Sequence, residues 1–424
     1  MSKKVHSSIK KPELLSPAGS LESLDFAIRY GADAVYLGTN EYSMRSVSKG
    51  FTSENLSEGV RKAHDAGLCV YLACNIIAHN FDLLGLDNFL LSAAAAGVDA
   101  LIVSDLGLMS RAKKLLPQME IHISTQLGVT NYETARVLYE MGAKRVVLAR
   151  ELGLEEIAEI RDKTPTDLEI ECFVHGAMCV SFSGRCLLSN LLTGRDANRG
   201  NCAQPCRWNY ALMEEKRPGE FIPVFQDEKG TFVLNSKDLN LLEHLDLLAA
   251  AGISSFKIEG RAKNAYYTGV VTNAYRIATD LLTSSAEDKT RLQPWVIEEL
   301  EKISHRPYST GFYFDKPKEN AQVSFKGGYI RQWAWVATVS GHSNGFLHLV
   351  QRNRFFNGDC LEILEPGKKP YTVLAYGLTD DEGTPIESAR HPLMKVKFPC
   401  EKKPQIGSIV RLKRSDRFDK ATNQ

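Results

Sequence analysis

Residues 13–39 read ELLSPAGSLESLDFAIRYGADAVYLGT and contain one complete strand–helix–strand unit. Two short apolar runs, ELLSPAG and AVYLGT, flank an amphipathic stretch that ends at a glycine, as helices commonly do. The same theme recurs up to about residue 285. The further predicted strands are CVYLACN (69–75), ALIVSD (100–105), IHISTQ (121–126), RVVLARE (145–151), IECFVHG (170–176) and SFKIEGR (255–261).

Eight strand–helix units over about 270 residues match the size of an α/β barrel. The sequence therefore predicts a (β/α)8 TIM-like barrel over residues 12–285. A doubly wound open sheet is the alternative, but no GxGxxG follows the first strand to support a dinucleotide fold.

Polar and apolar side chains alternate along several of these strands. In SFKIEGR, Lys257, Glu259 and Arg261 share one face. The apolar face of a barrel strand meets the surrounding helices, so we expect the polar face to point into the lumen. The same alternation gives a polar face to two other strands, with His122 and Gln126 on one and Glu171 and His175 on the other.

Two more polar residues stand at predicted strand ends. Arg150 closes the sixth strand and Asn75 closes the third, where a turn-forming role is the alternative for Asn75. Barrel enzymes place their active sites at the C-terminal ends of the strands. The sequence therefore predicts a polar site at this mouth, against the alternative of a few buried and satisfied polar groups.

Four of the nine cysteines lie within 28 residues, namely Cys179, Cys186, Cys202 and Cys206. No secretory signal precedes them, so a metal site is expected rather than disulfides. The C-x6-C and C-x3-C spacings differ from zinc ribbon pairs and favour an iron–sulfur cluster, with zinc as the alternative. The Cys-rich insertion, residues 177–231, follows the seventh strand and is expected to hang over the barrel mouth.

The segment after this insertion carries two more candidates, Lys237 and Asp238. They lie at a predicted turn between a brief strand and a helix. A helix N-cap and a site role are both open for Asp238.

The pattern changes after residue 285. Residues 286–324 predict a helical connection, and short β-like runs without helical periodicity predict a small β-barrel over 325–424. Residues 325–357 contain four cations and no acid, interleaved with Tyr329, Trp333, Trp335, Phe355 and Phe356. This pattern favours RNA binding, and the alternative is an ordinary core with a solvated basic face.

Composition sets the remaining limits. The chain has 424 residues, 43% of them hydrophobic, and a net charge of +1, which gives no global attraction to nucleic acid. No run approaches the 18 apolar residues of a membrane span. The basic residues 1–11 predict a disordered tail without a signal peptide, so a cytoplasmic location without membrane contact is expected.

Several blocks of the chain resemble peptidase family U32, which includes collagenase-like proteases. ECFVHGAMC (171–179) followed by GRCLLS (184–189) is similar to the cysteine signature of that family. The blocks at 13–38, LNSKDL (234–239) and FKIEGR (256–261) are similar to further family blocks, so the resemblance covers nearly the whole chain.

The resemblance implies an enzyme that hydroxylates tRNA. Related members form 5-hydroxyuridine at the wobble uridine without molecular oxygen, with prephenate as the implied hydroxyl donor. The resemblance also implies a [4Fe-4S] cluster on Cys179, Cys186, Cys202 and Cys206. Because prephenate is a dicarboxylate, the cations Arg150, Lys257 and Arg261 are natural partners for it.

These considerations define the candidate residues. The catalytic candidates are Glu171, His175, Lys257 and Glu259. The substrate-binding candidates are Asn75, His122, Gln126, Arg150, Lys237, Asp238 and Arg261. tRNA and a small dicarboxylate are the expected partners, and the sequence names no redox or cluster-assembly partner.

Two other functions stay open. A peptidase could use Cys179 as nucleophile and His175 as base, although the chain has no HExxH helix and no GxSxG elbow. An RNA-binding module with a purely structural cluster is the other alternative.

Overall fold

The computed structural model describes residues 11–44, 50–179, 181, 185–186, 188–207, 225–227, 230–232, 236–284, 292–314 and 329–414. The predicted tail up to residue 10, parts of the Cys-rich insertion and parts of the 286–324 connection lie outside these residues. Within the described ranges, no helix has the length and apolar character needed to cross a bilayer.

Eight parallel strands close into a barrel, as predicted. The strands up to residue 258 are β1 (Glu13–Pro17), β2 (Ala34–Leu37), β3 (Cys69–Cys74), β4 (Ala100–Val103), β5 (Glu120–Ile123), β6 (Arg145–Val147), β7 (Glu169–Ala177), β8 (Phe225–Asp227), β9 (Gly230–Phe232), β10 (Asp238–Asn240) and β11 (Ser255–Ile258). The barrel uses β1 to β7 in sequence order, and β11 pairs with both β1 and β7 to close the ring. The short β8 and β9 pair only with each other among the described strands.

The helices have locally encoded ends. They are α1 (Leu21–Arg29), α2 (Ser53–Asp65), α3 (Leu86–Ala95), α4 (Leu106–Leu115), α5 (Tyr132–Glu140), α6 (Leu154–Asp162), α7 (Leu188–Thr193), α8 (Leu245–Ala250), α9 (Ala265–Leu281) and α10 (Pro294–Glu299). Side chains such as Ser20 and Asn264 cap N-termini. The predicted glycine stops are confirmed by positive φ angles at Gly31, Gly67, Gly97, Gly142 and Gly252.

The C-terminal end of β7 extends the sheet beyond the barrel. β10 pairs antiparallel with β7 through Asp238 and Ala177, and β12 (Tyr308–Ser309) pairs parallel with β10. Arg306 Nη2 lies 2.7 Å from Asp238 Oδ1, and both side chains are buried. This buried ion pair ties the end of the Cys-rich insertion to the connection that leads to the C-terminal domain.

The C-terminal domain is the expected small β domain. Its strands are β13 (Trp333–Ser343), β14 (Phe346–Gln351), β15 (Phe355–Phe356), β16 (Cys360–Leu364), β17 (Tyr371–Leu374), β18 (Thr379–Asp380), β19 (Ser388–Ala389), β20 (Lys395–Pro399) and β21 (Ile409–Lys413). Seven of them form an antiparallel half-barrel in the order β17-β16-β21-β13-β14-β20-β18. Its own core includes Val336, Leu347 and Phe398.

The half-barrel packs on α1 and α9 of the barrel. The ring of Phe26 meets Trp335 edge-on at 5.4 Å, and Tyr266 stacks on the other side at 6.4 Å. Tyr30 donates a hydrogen bond to the carbonyl of Leu364 at 2.9 Å. The interface is therefore apolar at its centre and tied at its edge by hydrogen bonds.

A buried arginine joins the two domains, and its removal tests the interface. Arg411 on β21 lies 2.6 Å from Glu299 on α10 and 2.5 Å from Glu362 on β16. We expect Arg411→Ala to lower the free energy of unfolding by about 3–5 kcal/mol, because the buried Glu299 loses its closest cation. The exposed Arg414→Ala is the control and should change it by less than about 0.5 kcal/mol. Urea titration measures both, and equal midpoints for the two variants would contradict the role given to Arg411.

Candidate active site

A chain of buried charges runs through the lumen. Lys257 Nζ lies 2.8 Å from Glu171 Oε1, and Arg145 Nη1 lies 3.0 Å from Glu171 Oε2. Arg145 also lies 2.6 Å from both Glu13 and Glu169. Glu171, Lys257 and Arg145 are each at most 4% exposed. Charges this deep persist only when they are paired, and here two cations meet three carboxylates.

The electrostatics keep Glu171 ionised. Burial alone raises the pKa of Glu171, but the charges of Lys257 and Arg145 outweigh burial and hold the pKa at about 2. Ser255 Oγ donates a further hydrogen bond to the same carboxylate at 3.1 Å. The carboxylate is therefore a fixed anion that orients the ammonium of Lys257.

Above this chain the lumen opens into a polar pocket. Its lining includes Tyr36, Asn75, Gln126, Arg150, Phe173, Lys257, Glu259 and Arg261. The structure thus brings six of the predicted site residues to one place. The shared lumen face predicted for Lys257, Glu259 and Arg261 is present in the pocket.

Arg150 is fixed on several sides. Its Nη1 donates to the carbonyl of Ala177 at 2.7 Å, and its Nη2 lies 3.3 Å from Glu259 Oε2. The guanidinium carbon lies 3.8 Å from the centroid of the Phe173 ring. Its Nε is buried and has no hydrogen-bond partner among the described residues. A buried donor without a partner is unfavourable, so Nε is suited to an acceptor atom of a ligand.

Arg261 occupies space that two glycines leave free. Its Nη1 donates to Ser43 Oγ at 2.7 Å. A Cβ at Gly38 would lie 2.1 Å from Arg261 Nη1, and a Cβ at Gly19 would lie 1.9 Å from the Arg261 carbonyl oxygen. The loops after β1 and β2 are therefore shaped around this arginine, and side chains at either glycine would displace it.

His122 is buried in the lumen beside aromatic and acidic neighbours. Its ring meets Tyr71 edge-on at 4.6 Å, and its Nε2 lies 3.6 Å from Glu120 Oε2, too far for a hydrogen bond. Burial lowers the pKa of His122, although Glu120 opposes that effect. The imidazole is therefore neutral at pH 7, and neither ring nitrogen has a hydrogen-bond partner among the described residues.

The prediction that Glu171 and His175 share one face of their strand is wrong. β7 bulges at Val174, because its pairing with β11 shifts there by one residue. The bulge turns His175 out of the lumen towards α9 and β12, where Tyr275 Oη lies 3.3 Å from its Nδ1 and Tyr308 packs on the ring. Burial lowers the pKa of His175 to about 3, so the ring is neutral in the barrel wall.

Asp238 and Lys237 also lie outside the lumen pocket. Asp238 begins β10 and pairs with Arg306, so the helix N-cap role is wrong. Lys237 is half-buried beside it. Their predicted role in substrate binding stays a prediction.

The described parts of the Cys-rich insertion contact loops at the barrel mouth. Arg185 Nε donates to the carbonyl of Gln126 at 2.6 Å, just after β5. Arg199 forms a two-bond pair with Asp82, in the loop after β3, at 2.5 and 2.6 Å. These described parts of the insertion therefore lie at the barrel mouth, on the side of the polar pocket.

The four cysteines all lie within this insertion. Cys179 is exposed, whereas Cys186, Cys202 and Cys206 are partly buried. Asn198 connects its own part of the insertion to the part around Cys186. Its side chain accepts a hydrogen bond from the Cys186 nitrogen at 3.1 Å and donates one to the Cys186 carbonyl at 3.2 Å. Across the described ranges, no three His, Cys, Asp or Glu side chains form a closed metal cage. The donor set, four thiols in one segment, suits an iron–sulfur cluster or zinc in its chemistry.

The sequence-based reasoning missed Arg145, Glu13 and Glu169. All three belong to the charge chain beneath the pocket. A signal was present, because the two-residue period of a strand places Glu169 on the same face as Glu171 and Arg145 on the same face as Val147. These residues stand at the N-terminal ends of their strands, whereas the predicted site lies at the C-terminal ends.

Neutralising Glu171 tests the charge chain. The native pKa of Glu171, about 2, lies below its ordinary value of 4.5, so ionisation stabilises the fold above about pH 5 and this contribution is lost as the pH falls towards 2. We expect Glu171→Gln to lower the free energy of unfolding at neutral pH by roughly 3 kcal/mol. The deficit relative to the unsubstituted protein should shrink between about pH 5 and pH 2.

Urea titrations at several pH values measure this deficit. Glu58→Gln, at an exposed position of α2, is the matched control and should change the free energy of unfolding little at any pH. A deficit for Glu171→Gln that stays constant with pH would contradict an ionised native carboxylate.

Comparison with known families accounts for both domains. Residues 19–323 match Peptidase family U32, and residues 331–411 match the Peptidase family U32 C-terminal domain. The first match covers nearly all of the barrel and the second covers the half-barrel.

Curated relatives extend along most of the chain. The chain is 38% identical over 404 residues to tRNA hydroxylation protein P1 of Bacillus subtilis, a match that covers 95% of each protein. It is 39% identical over 420 residues to tRNA hydroxylation protein P of Escherichia coli, covering 89% of this chain and 91% of the relative. It is 46% identical over 318 residues to an uncharacterized protease of Methanocaldococcus jannaschii, covering 74% and 76%. These matches show that the chain belongs to Peptidase family U32.

Proposed function

We propose that this protein is an enzyme that hydroxylates tRNA and forms 5-hydroxyuridine at the wobble position, in the cytoplasm. The observation that carries the proposal is the match to two tRNA hydroxylation proteins at 38–39% identity over both domains. The polar pocket at the C-terminal mouth of the barrel supports it, because barrel enzymes carry out their chemistry at this end.

The proposed oxygen donor is prephenate, in a reaction that does not use molecular oxygen. Hydroxylation at uracil C5 removes two electrons, so without molecular oxygen a co-substrate has to take up these electrons, and prephenate would do so by giving up an oxygen atom. Prephenate carries two carboxylates, and Arg150, Lys257 and Arg261 line the pocket as candidate partners. The buried Nε of Arg150, which has no described partner, would be satisfied by a carboxylate oxygen.

We propose that Cys179, Cys186, Cys202 and Cys206 hold a [4Fe-4S] cluster, with zinc as the alternative. Four cysteines within one segment, whose described parts contact the barrel mouth, support this assignment. When bound, such a cluster supplies one-electron transfer and, at an iron that keeps an open position, a Lewis acid.

The pocket residues divide into binding and proton-handling groups. Lys257 is oriented by Glu171 at 2.8 Å and lies 4.5 Å from the Tyr36 ring centroid, which suits it to hold an anion in place. Glu259 lines the pocket beside Arg150, and we propose that its carboxylate accepts a proton from substrate. His175 supports the barrel wall and acts by positioning β7.

Peptidase activity is the second candidate, because one relative is named an uncharacterized protease. A thiol peptidase needs an imidazole within hydrogen-bond reach of its nucleophile. Cys179 is exposed, whereas His175 is enclosed by tyrosine rings of α9 and β12. The arrangement therefore favours hydroxylation over thiol-dependent proteolysis.

A deletion strain tests the proposal directly. Mass spectrometry of its tRNA nucleosides should show loss of 5-hydroxyuridine, and the unsubstituted gene should restore it. Cys186→Ala should restore neither the nucleoside nor the iron content and visible absorbance of the purified protein. Cys360→Ala, which removes an exposed thiol on β16, is the matched control and should restore both.

The outcomes separate three ideas. Unchanged nucleosides in the deletion strain would refute tRNA hydroxylation and leave the RNA-binding reading. Full iron content in Cys186→Ala would refute the cluster assignment. Cleavage of peptides that survives metal removal would support the peptidase.

Replacing a pocket arginine tests whether prephenate binds there. We expect Arg261→Gln to raise the KM for prephenate by roughly 10- to 100-fold, because a charge-assisted pair to a carboxylate contributes about 1.5–3 kcal/mol. The KM for tRNA should stay near that of the unsubstituted protein. Arg276→Gln, on the outer side of α9 where Arg276 pairs with Asp33, is the control. An unchanged KM for prephenate in Arg261→Gln would remove Arg261 from its binding site.

A further inference from the structure

A small basic and aromatic surface lies where the barrel meets the half-barrel. We define it as Lys263, Tyr329 and Arg331 and call it the lip. Lys263 Nζ lies 4.3 Å from the centroid of the Tyr329 ring, and the guanidinium carbon of Arg331 lies 5.6 Å from it. Both cations are anchored on Ser304, Lys263 through the carbonyl at 3.4 Å and Arg331 through Oγ at 3.2 Å. The lip is therefore an organised group rather than three independent side chains.

The lip borders the lumen pocket. Lys263 follows Arg261, a pocket residue, by two positions in the loop after β11. Two residues of backbone span at most about 7 Å. A polymer that places one unit in the pocket therefore has its neighbouring units within reach of the lip.

A second basic and aromatic pair lies on the same side of the molecule. Arg354 is exposed, and its guanidinium carbon lies 4.8 Å from the centroid of the Phe356 ring. Arg352 lies 2.6 Å from Glu22, in the first turn of α1, which fixes this loop near the mouth because α1 begins where β1 ends. The sequence has no acid between residues 325 and 357, the stretch that contributes Tyr329, Arg331, Arg354 and Phe356.

Burial decides which aromatic side chains can meet a ligand. Phe355 is fully buried in the half-barrel, and Trp335 is covered by Phe26 at the domain interface. Tyr329 and Phe356 keep part of their surface exposed. Trp333 is also partly exposed, but its neighbouring cations Lys302 and Arg411 are paired with Glu362. Tyr329 and Phe356 are thus partly exposed rings beside the exposed cations Arg331 and Arg354.

We propose that single-stranded RNA next to the nucleotide in the pocket docks on the lip. Its phosphates lie against Lys263 and Arg331, and a base packs against the exposed part of Tyr329. The net charge of +1 offers no general attraction to RNA, so the affinity has to come from a local surface. Proteins that bind single strands combine cations for the backbone with aromatic rings for the bases. The inference rests on the proposed tRNA hydroxylation and names the surface that holds that substrate.

Fluorescence anisotropy with a labelled, unmodified tRNA transcript tests the docking surface. The double variant Lys263→Gln/Arg331→Gln should weaken binding by roughly tenfold. It should also reduce the slope of the logarithm of the association constant against the logarithm of the salt concentration by about 1.4. Each phosphate contact to a single strand contributes about 0.7 to this slope. Tyr329→Leu should weaken binding by at least roughly fivefold without changing the slope, and Tyr329→Phe should lose less because a ring remains.

The chain offers a matched control at the other end of the same domain. Lys402 Nζ lies 4.2 Å from the centroid of the Tyr371 ring, which reproduces the chemistry of the lip. The neighbouring Ile406 carbonyl accepts from Arg29, in the last turn of α1, so this pair lies about one helix length from the mouth. Lys402→Gln/Tyr371→Leu should leave the affinity and the salt slope unchanged.

The outcomes separate the docking surface from the reaction. Lip variants that bind tRNA like the control variant would overturn the inference, and an acidic protein would then be the partner to seek for this surface. Weaker binding by the lip variants supports the inference whatever the nucleoside analysis shows. If the unsubstituted protein modifies no tRNA in the deletion strain, the proposed function fails independently of the lip.

Discussion

The carboxylate of Glu171, shared by two cations in a space closed to water, is the constraint on which the lumen depends. Lys257 and Arg145 approach it at 2.8 and 3.0 Å, and all three side chains are buried. Removal of Glu171 would leave the buried Lys257 without this ion-pair partner, at a cost of several kcal/mol. The barrel can therefore carry cations in its interior before any ligand arrives. The proposed anionic co-substrate would meet the Lys257 side chain already in position, which lowers the reorganisation needed on binding.

The upper pocket is held rigid by packing rather than by shared charge. Arg150 stacks on Phe173 and bonds to the end of β7, and Arg261 fills the space above Gly38. Long cationic side chains normally lose rotamer freedom when they bind a ligand. Here that loss has already occurred during folding, so more of the contact energy remains available for affinity.

The fold was predictable because its signals are local. Five helix–strand turns end in a glycine with positive φ, and the barrel strands are short runs rich in apolar residues, so these signals do not depend on distant residues. The lumen face of β11 was predictable for the same reason, because regular alternation fixes Lys257 and Glu259. The alternation failed at His175, where β7 bulges. A bulge belongs to the pairing of two strands and leaves no mark on one sequence.

Longer-range pairings limited the other predictions. Asp238 was placed at a turn because a helix pattern follows it, but its partners are Ala177 and Arg306, which are far away along the chain. The arrangement of the four thiols depends in the same way on contacts between distant parts of the insertion. Residue type and spacing indicate what such a segment can bind, whereas geometry comes only from the folded chain.

The pairing of Ala177 with Asp238 has a consequence for how this family can vary. The 60 residues from 178 to 237 connect β7 to β10, and the adjoining ends of these two strands pair at Ala177 and Asp238. The cost of closing a loop whose ends are pinned changes slowly with its length, by about 0.6 kcal/mol for each doubling. Lengthening or replacing this segment should therefore change the free energy of unfolding of the barrel little. The covering of the pocket can diversify as an exchangeable module, while the charged interior beneath it stays the same.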